Sequence, residues 1–152
     1  MSDFKNLTLN NQLCFALYSA THAVTRAYRE HLGKIGLTYP QYLVMLALWE
    51  HQNQAVKSLA ALLNLDSPTL TPLLKRLEAA GFLNRTRSKA DERIVIISLT
   101  ANGLALKEAV HVVQQKVSCE TGLSELEYIE LRSKLHHLLG SMGVNELKKV
   151  AA

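Results

Sequence analysis

The sequence contains no apolar run approaching the roughly 20 residues that a bilayer-spanning helix needs, which excludes an integral helical membrane protein. Its two cysteines, Cys14 and Cys119, are too few for a disulfide scaffold and are expected to rest as thiols. Three prolines and seven glycines punctuate the chain without forming a linker, and neither a repeat nor a low-complexity tract interrupts it. There is no Cys/His set with zinc-ligand spacing. The adjacent pair His136 and His137 would point about 100° apart on a helix, so neither a metal nor a cofactor is expected. Nothing has the pattern of a catalytic triad, a phosphate loop or a carboxylate pair, so the chain is not expected to be an enzyme. The opening "MSDFKNLTLNN" lacks the basic flank and apolar core of a signal peptide, and a cytoplasmic location is expected.

What is present is a basic surplus concentrated in one place. The net charge is +4, and between Lys75 and Arg93 six basic residues (Lys75, Arg76, Arg85, Arg87, Lys89, Arg93) face three acidic ones (Glu78, Asp91, Glu92). This local excess favours a polyanionic partner.

The periodicities predict a chain that is mainly α with a small β-hairpin wing. Leu13, Leu17, Val24, Tyr28 and Leu32 mark one face of a long first helix, capped at Asn10 or Asn11 and closed by the glycines of "LGKIGLTYP". Pro40 opens a second helix. The short helix "VKSLAALLNL", a tight turn and the helix "SPTLTPLLKRLEAAG" form a helix-turn-helix. "FLNRTR" and the β-branched "IVIISLT" flank the polar tip "SKADER" as a hairpin. Thr100 can cap a further helix with Leu106, Val110, Val113 and Val117 on one face, and a last helix carries Leu131, Leu135, Leu138 and Met142. The terminal helices exceed what the winged core requires, so a two-fold homodimer is expected. The whole is one domain over 1–152, with a winged helix-turn-helix core at about 40–99 and dimerisation helices at about 8–36 and 100–143.

The second helix of the helix-turn-helix suits double-stranded DNA. Ser67 as N-cap, Pro68 at the first position, and Ser67, Thr69 and Thr71 near the free N–H groups offer donors to phosphates and base edges, with Lys75 and Arg76 one turn later. Pro72 should widen or kink the first turn. Arg85, Arg87, Lys89 and Arg93 fall on or beside the hairpin, where Arg93 can reach a minor groove, and Asp91 either holds that guanidinium or simply solubilises the turn. A solvated charged face is the alternative for the helix taken alone.

The stretch "LDSPTLTPLLKRLEAAGFLNRTRSKADERIVIISLT", and within it "DERIVIISLT", resembles the MarR class of winged-helix repressors. Within that class, "NNQLCFALYSA" with "LTYPQYLVMLALWE" resembles the organic hydroperoxide resistance regulators. The resemblance implies a homodimeric repressor that binds operator DNA when reduced and leaves it when an organic hydroperoxide oxidises a first-helix cysteine, here Cys14. It also implies that Tyr28 and Tyr39 hydrogen-bond the sulfur across the dimer, and that Cys119 is a resolving cysteine forming an intersubunit disulfide.

The residues themselves agree with that chemistry but do not carry it alone, since a lone cysteine in a leucine-rich helix is more often a small packed side chain. Cys14 falls in the first turn of its helix, where unpaired N–H groups and the helix dipole favour a thiolate, the form that reacts with peroxides. Tyr18, one turn on, either lines the same pocket or belongs to the core. Alternatives are a MarR-type repressor released by a small aromatic ligand, and a thiol peroxidase, for which the basic hairpin has no task.

Overall fold

Four of the six helices in the computed structural model, which describes residues 4–144, begin at a side chain that accepts the helix's own free N–H groups. Two short 3-10 turns, Phe4–Asn6 and Leu9–Asn11, lead into α1 (Leu13–Gly33). Thr38 and Gln41 form a reciprocal capping box at the start of α2 (Tyr39–Glu50), which carries Pro40 in its first turn. The short α3 (Val56–Leu62) follows, then α4 (Ser67–Ala79), the second helix of the helix-turn-helix. Thr100 accepts the Gly103 N–H (3.0 Å) to start α5 (Ala101–Glu120), and Ser124 with Glu127 boxes the start of α6 (Glu125–Ser141).

Several local expectations need correction. The N-cap of α1 is Gln12, with no side-chain capping bond, rather than Asn10 or Asn11; Cys14 is still the second helical residue. The N-cap of α4 is Asp66, whose Oδ1 accepts the Thr69 N–H at 2.7 Å. Asp and Ser are nearly equal as caps, and here the earlier one takes the position, making Ser67 the first helical residue and moving Pro68 one place inward. The helix runs through Pro72 as one α-helical segment; the proline removes one ladder bond, and the Thr71 hydroxyl donates to the Ser67 carbonyl one turn back (2.8 Å).

The wing strands are β2 (Leu83–Arg87) and β3 (Val95–Leu99), antiparallel with Leu83 opposite Leu99 and Arg87 opposite Val95. A third strand, β1 (Gln54–Ala55), pairs with β3 at Ile96 and Ile97, so the sheet order is β1-β3-β2 rather than a two-stranded hairpin. Its pairing with β3 joins the turn before α3 to the wing, which fixes the wing relative to the helix-turn-helix.

The core lies beneath the helix-turn-helix: Met45 and Leu48 of α2, Leu59 of α3, Leu70 and Leu74 of α4 and Ile97 of β3 are almost wholly buried. The long helices divide differently from the expected pattern. The stripe of α5 is satisfied within the chain, with Val110, Val113 and Val117 buried against α1. In α1 only Leu32 is buried, whereas Leu13 is 63% exposed; no described residue of α6 is buried.

The junction between α5 and the winged core is tight. The Thr100 hydroxyl donates to the Gly81 carbonyl (2.6 Å), the Thr100 N–H donates to the Phe82 carbonyl (3.1 Å), and Trp49 donates its indole N–H to the Gly103 carbonyl (3.0 Å). A Cβ at Gly103 would stand 2.0 Å from the Phe82 carbonyl oxygen, so only glycine lets the two backbones meet there.

Candidate functional site

Cys14 and Cys119 are both exposed thiols at opposite ends of the helical layer. Cys14 is in the first turn of α1, among N–H groups with no intrahelical partner. Cys119 is in the last turn of α5, next to Glu120, whose Oε1 lies 2.6 Å from Nε2 of His31 in the last turn of α1. Seventeen residues of helix separate Cys14 from His31, about 26 Å along the axis, so one chain cannot join its own two sulfurs without dismantling α1.

Tyr28 and Tyr39 come together, and the structure adds a residue that the sequence did not single out. Their rings lie 5.5 Å apart, and Tyr42 completes the cluster, stacked on Tyr28 at 5.0 Å and 5.8 Å from Tyr39. The Tyr42 hydroxyl donates to the Tyr28 oxygen at 3.5 Å. Burial, then the hydrogen bond and the proximity of Tyr28, push the Tyr42 phenol far above its ordinary range; burial, then Tyr28, also raises Tyr39. Tyr42 therefore remains a neutral donor at any physiological pH. The missed signal was the spacing of Tyr39 and Tyr42, which puts both on one face of α2.

Within one chain Cys14 is about 21 Å from Tyr28 along the same helix, so these tyrosines do not touch the sulfur of their own subunit. Tyr28 instead borders a largely apolar cavity of about 240 Å³ between α1, α5 and α6, lined also by Val24, Val117, Ser118, Tyr128 and Arg132. Tyr18 is exposed and packs edge-on against His22, so it belongs to neither the core nor this cavity.

At the other end of the molecule, Thr69, Lys75 and Arg76 are exposed on α4, away from its buried Leu70, Leu74 and Leu77, and Ser67 is exposed at the start of the helix. Thr71 is half-buried. Hydrogen bonds from the Thr69 side chain and backbone hold the exposed Asp66 carboxyl below its ordinary range, so it stays charged as a cap.

In the wing, Arg87, Lys89, Asp91 and Arg93 are exposed. Asp91 shapes the tip through the backbone: its carboxylate accepts the Arg93 N–H (3.0 Å) and its carbonyl accepts the Ile94 N–H (2.9 Å). Arg87 donates to the Glu92 carbonyl (3.1 Å). Arg85 faces inward, half-buried, with Nη1 3.6 Å from Glu78 Oε2; Glu78 also accepts the Arg85 N–H (3.2 Å). The structure thus places Arg85 as a tie between α4 and the wing. Strand alternation carried the signal, since Arg85 shares a face with the buried Leu83. Among the described residues no group of three His, Cys, Asp or Glu side chains is placed to hold a metal, and no helix is long and apolar enough to cross a membrane.

A helix-turn-helix with a basic three-stranded wing defines a winged-helix protein. Residues 26–110 match the family of the transcriptional regulators SarA and Rot. The chain is 43% identical to the organic hydroperoxide resistance transcriptional regulator of Bacillus subtilis over 139 residues, covering 91% of this chain and 95% of that one. Among solved structures it is similar to reduced AbfR bound to DNA (39% identity, 89% of this chain and 92% of that chain, TM-score 0.77) and to AbfR of Staphylococcus epidermidis (42% identity, 87% of this chain and 94% of that chain, TM-score 0.70). Related AbfR structures contain a formed disulfide, or overoxidised protein bound to DNA. A mutant MarR of E. coli complexed with operator DNA is 25% identical, with 91% of this chain and 99% of that chain covered and a TM-score of 0.78. The chain belongs to the MarR-class winged-helix transcriptional regulators, in the organic hydroperoxide resistance group; it is a regulator, not an enzyme.

Proposed function

We propose that two copies of this chain form a repressor that holds operator DNA while reduced and releases it when an organic hydroperoxide oxidises Cys14. The observation that carries this reading is the separation along α1. The sensor sulfur opens the helix, while Tyr28, Tyr39 and Cys119 gather near its other end, so a complete sensor needs a second, antiparallel copy. The exposed apolar start of α1, with Leu13 and Phe15, and the uncovered α6 supply the surface for that copy. The cavity beside Tyr28 then receives the start of the partner's α1.

The chemistry balances without a cofactor. The Cys14 thiolate attacks the outer peroxide oxygen and the O–O bond breaks. With one proton taken up, the products are Cys14 sulfenic acid and an alcohol, sulfur losing the two electrons that the peroxide gains. The thiol of Cys119 from the second subunit then attacks the sulfenic sulfur, forming the disulfide and releasing water. Disulfide geometry requires Cα atoms within about 7 Å, so α1 of one subunit and α5 of the other must approach. The junction of Thr100 and Gly103 with Gly81 and Phe82 passes that movement to α4 and the wing. AbfR, overoxidised yet bound to DNA, favours the disulfide over mere oxygenation of the sulfur as the releasing event.

On the operator, Ser67, Thr69, Thr71, Lys75 and Arg76 serve the major groove, and Arg87, Lys89 and Arg93 the flanking backbone and minor groove, with Asp91 fixing the tip. The test is a gel shift of reduced protein on its own upstream DNA before and after one equivalent of cumene hydroperoxide. Wild type is expected to release and Cys14→Ser to stay bound; release of Cys14→Ser overturns the reading. The cavity with Arg132 at its lining favours a second reading, release by a small aromatic acid, for which Cys14→Ser would leave the operator on adding salicylate.

A further inference from the structure

We propose that the His31–Glu120 pair is a latch that sets the rate of the resolving step, an inference that rests on the assignment of Cys14 and Cys119 above. Helical residues advance by about 100°, so Cys119 lies about 200° around α5 from the buried Val117 and faces away from α1. Tyr28 lies on the other side, where Val117, Ser118 and Thr121 border the cavity with it. The resolving sulfur and the tyrosine that marks the partner's Cys14 therefore sit on opposite sides of the same helical turn.

Forming the disulfide requires that last turn to rotate or unwind. The turn is built to end there: the Thr121 hydroxyl donates to the Ser118 carbonyl (2.6 Å), and Gly122 follows with φ +68°. Among the described residues, one side-chain hydrogen bond ties residues 117–122 to another helix, the 2.6 Å contact between Glu120 Oε1 and His31 Nε2. The histidine is only 14% exposed and lies one turn beyond Tyr28 on α1. Glu120 follows Cys119 directly, so turning Cys119 toward Tyr28 swings the carboxylate off His31, and the pair and the disulfide exclude one another. An intact latch prolongs the sulfenic acid at Cys14; an open one commits it to the disulfide. No covalent step is added to those already written.

Reduced protein mixed with cumene hydroperoxide and quenched at intervals reports both stages, sulfenic acid by dimedone trapping and covalent dimer on non-reducing gels. For Glu120→Ala the sulfenic stage is expected at the wild-type rate and the disulfide stage about fivefold faster, the size of one exposed hydrogen-bonded pair. His31→Leu should match it, and Glu120→Gln, which keeps an acceptor for His31, should stay near wild type. Reduced operator affinity is expected to be unchanged and Tm to fall by no more than the few degrees that one such pair is worth, which separates the latch from a general loosening. Unchanged or slower disulfide formation in both latch-breaking variants, beside a normal wild-type disulfide, overturns the latch alone. Absence of the covalent dimer in wild type overturns the role of Cys119 and the latch with it.

Discussion

Tyr42 donates its hydroxyl to Tyr28 while the two rings stack 5.0 Å apart, so the tyrosine proposed to meet the partner's sensor sulfur is backed by a second, buried phenol. At 3.5 Å the bond is long, and Tyr42→Phe should cost less than about 1 kcal/mol near neutral pH. The alkaline limb is more telling. A folded-state value raised above the ordinary 10.0 means that the contribution is complete below pH 10 and lost as the pH climbs toward the folded-state value. Urea unfolding is expected to show stability falling above pH 10 in wild type, and falling less steeply in Tyr42→Phe; parallel slopes would remove the argument.

Gly103→Ala should destabilise the protein, although alanine in an exposed helix interior normally stabilises by about 1 kcal/mol relative to glycine. The new methyl would meet a backbone oxygen, which cannot rotate aside, and overpacking of this kind costs about 1 to 3 kcal/mol or more. A rise in the thermal midpoint would show that the junction of α5 with Phe82 is looser than described.

Two arginines in the wing should separate binding from folding. Arg93 is exposed at the tip, so Arg93→Ala should leave Tm within a degree or two, weaken operator binding and lower the salt slope by about 1. Arg85→Ala removes the tie to Glu78 and should lower Tm. Equal effects of both on Tm would contradict this division.

Cys119→Ser should form no covalent dimer and should remain on the operator after treatment with hydroperoxide, even when mass spectrometry finds Cys14 as sulfinic or sulfonic acid. Release of this variant at one equivalent would place the switch in the sulfenic acid itself.

Much of the fold was legible because helical periodicity and caps act locally: Thr100 caps α5 as expected, and the wing strands fall in the expected segments. β1 was not legible, since a two-residue strand has no periodicity and exists only through its partner Ile96–Ile97. The cap of α4 shifted by one because Asp66 and Ser67 compete on equal terms. At the site, α1 and α5 show the limit. A stripe on a helix announces that it will be covered, not by what: α5 meets its own α1, while the start of α1 is left open. His31 and Glu120 are 89 positions apart, and no pattern in either helix announces their meeting.

Gly103 and Cys119 stand near the two ends of α5, a single rod of 20 residues and so about 30 Å long. A rod clamped to the Phe82 backbone at one end and pulled at the other acts as a lever. Tilting it by about 10° about its middle carries each end roughly 2.6 Å sideways. In the proposed dimer the same swing reaches both copies of α4, a sizeable fraction of a major groove about 12 Å wide. The amplitude at the operator thus comes from helix length, and shortening α5 by one turn would mute the signal even with every reactive atom intact.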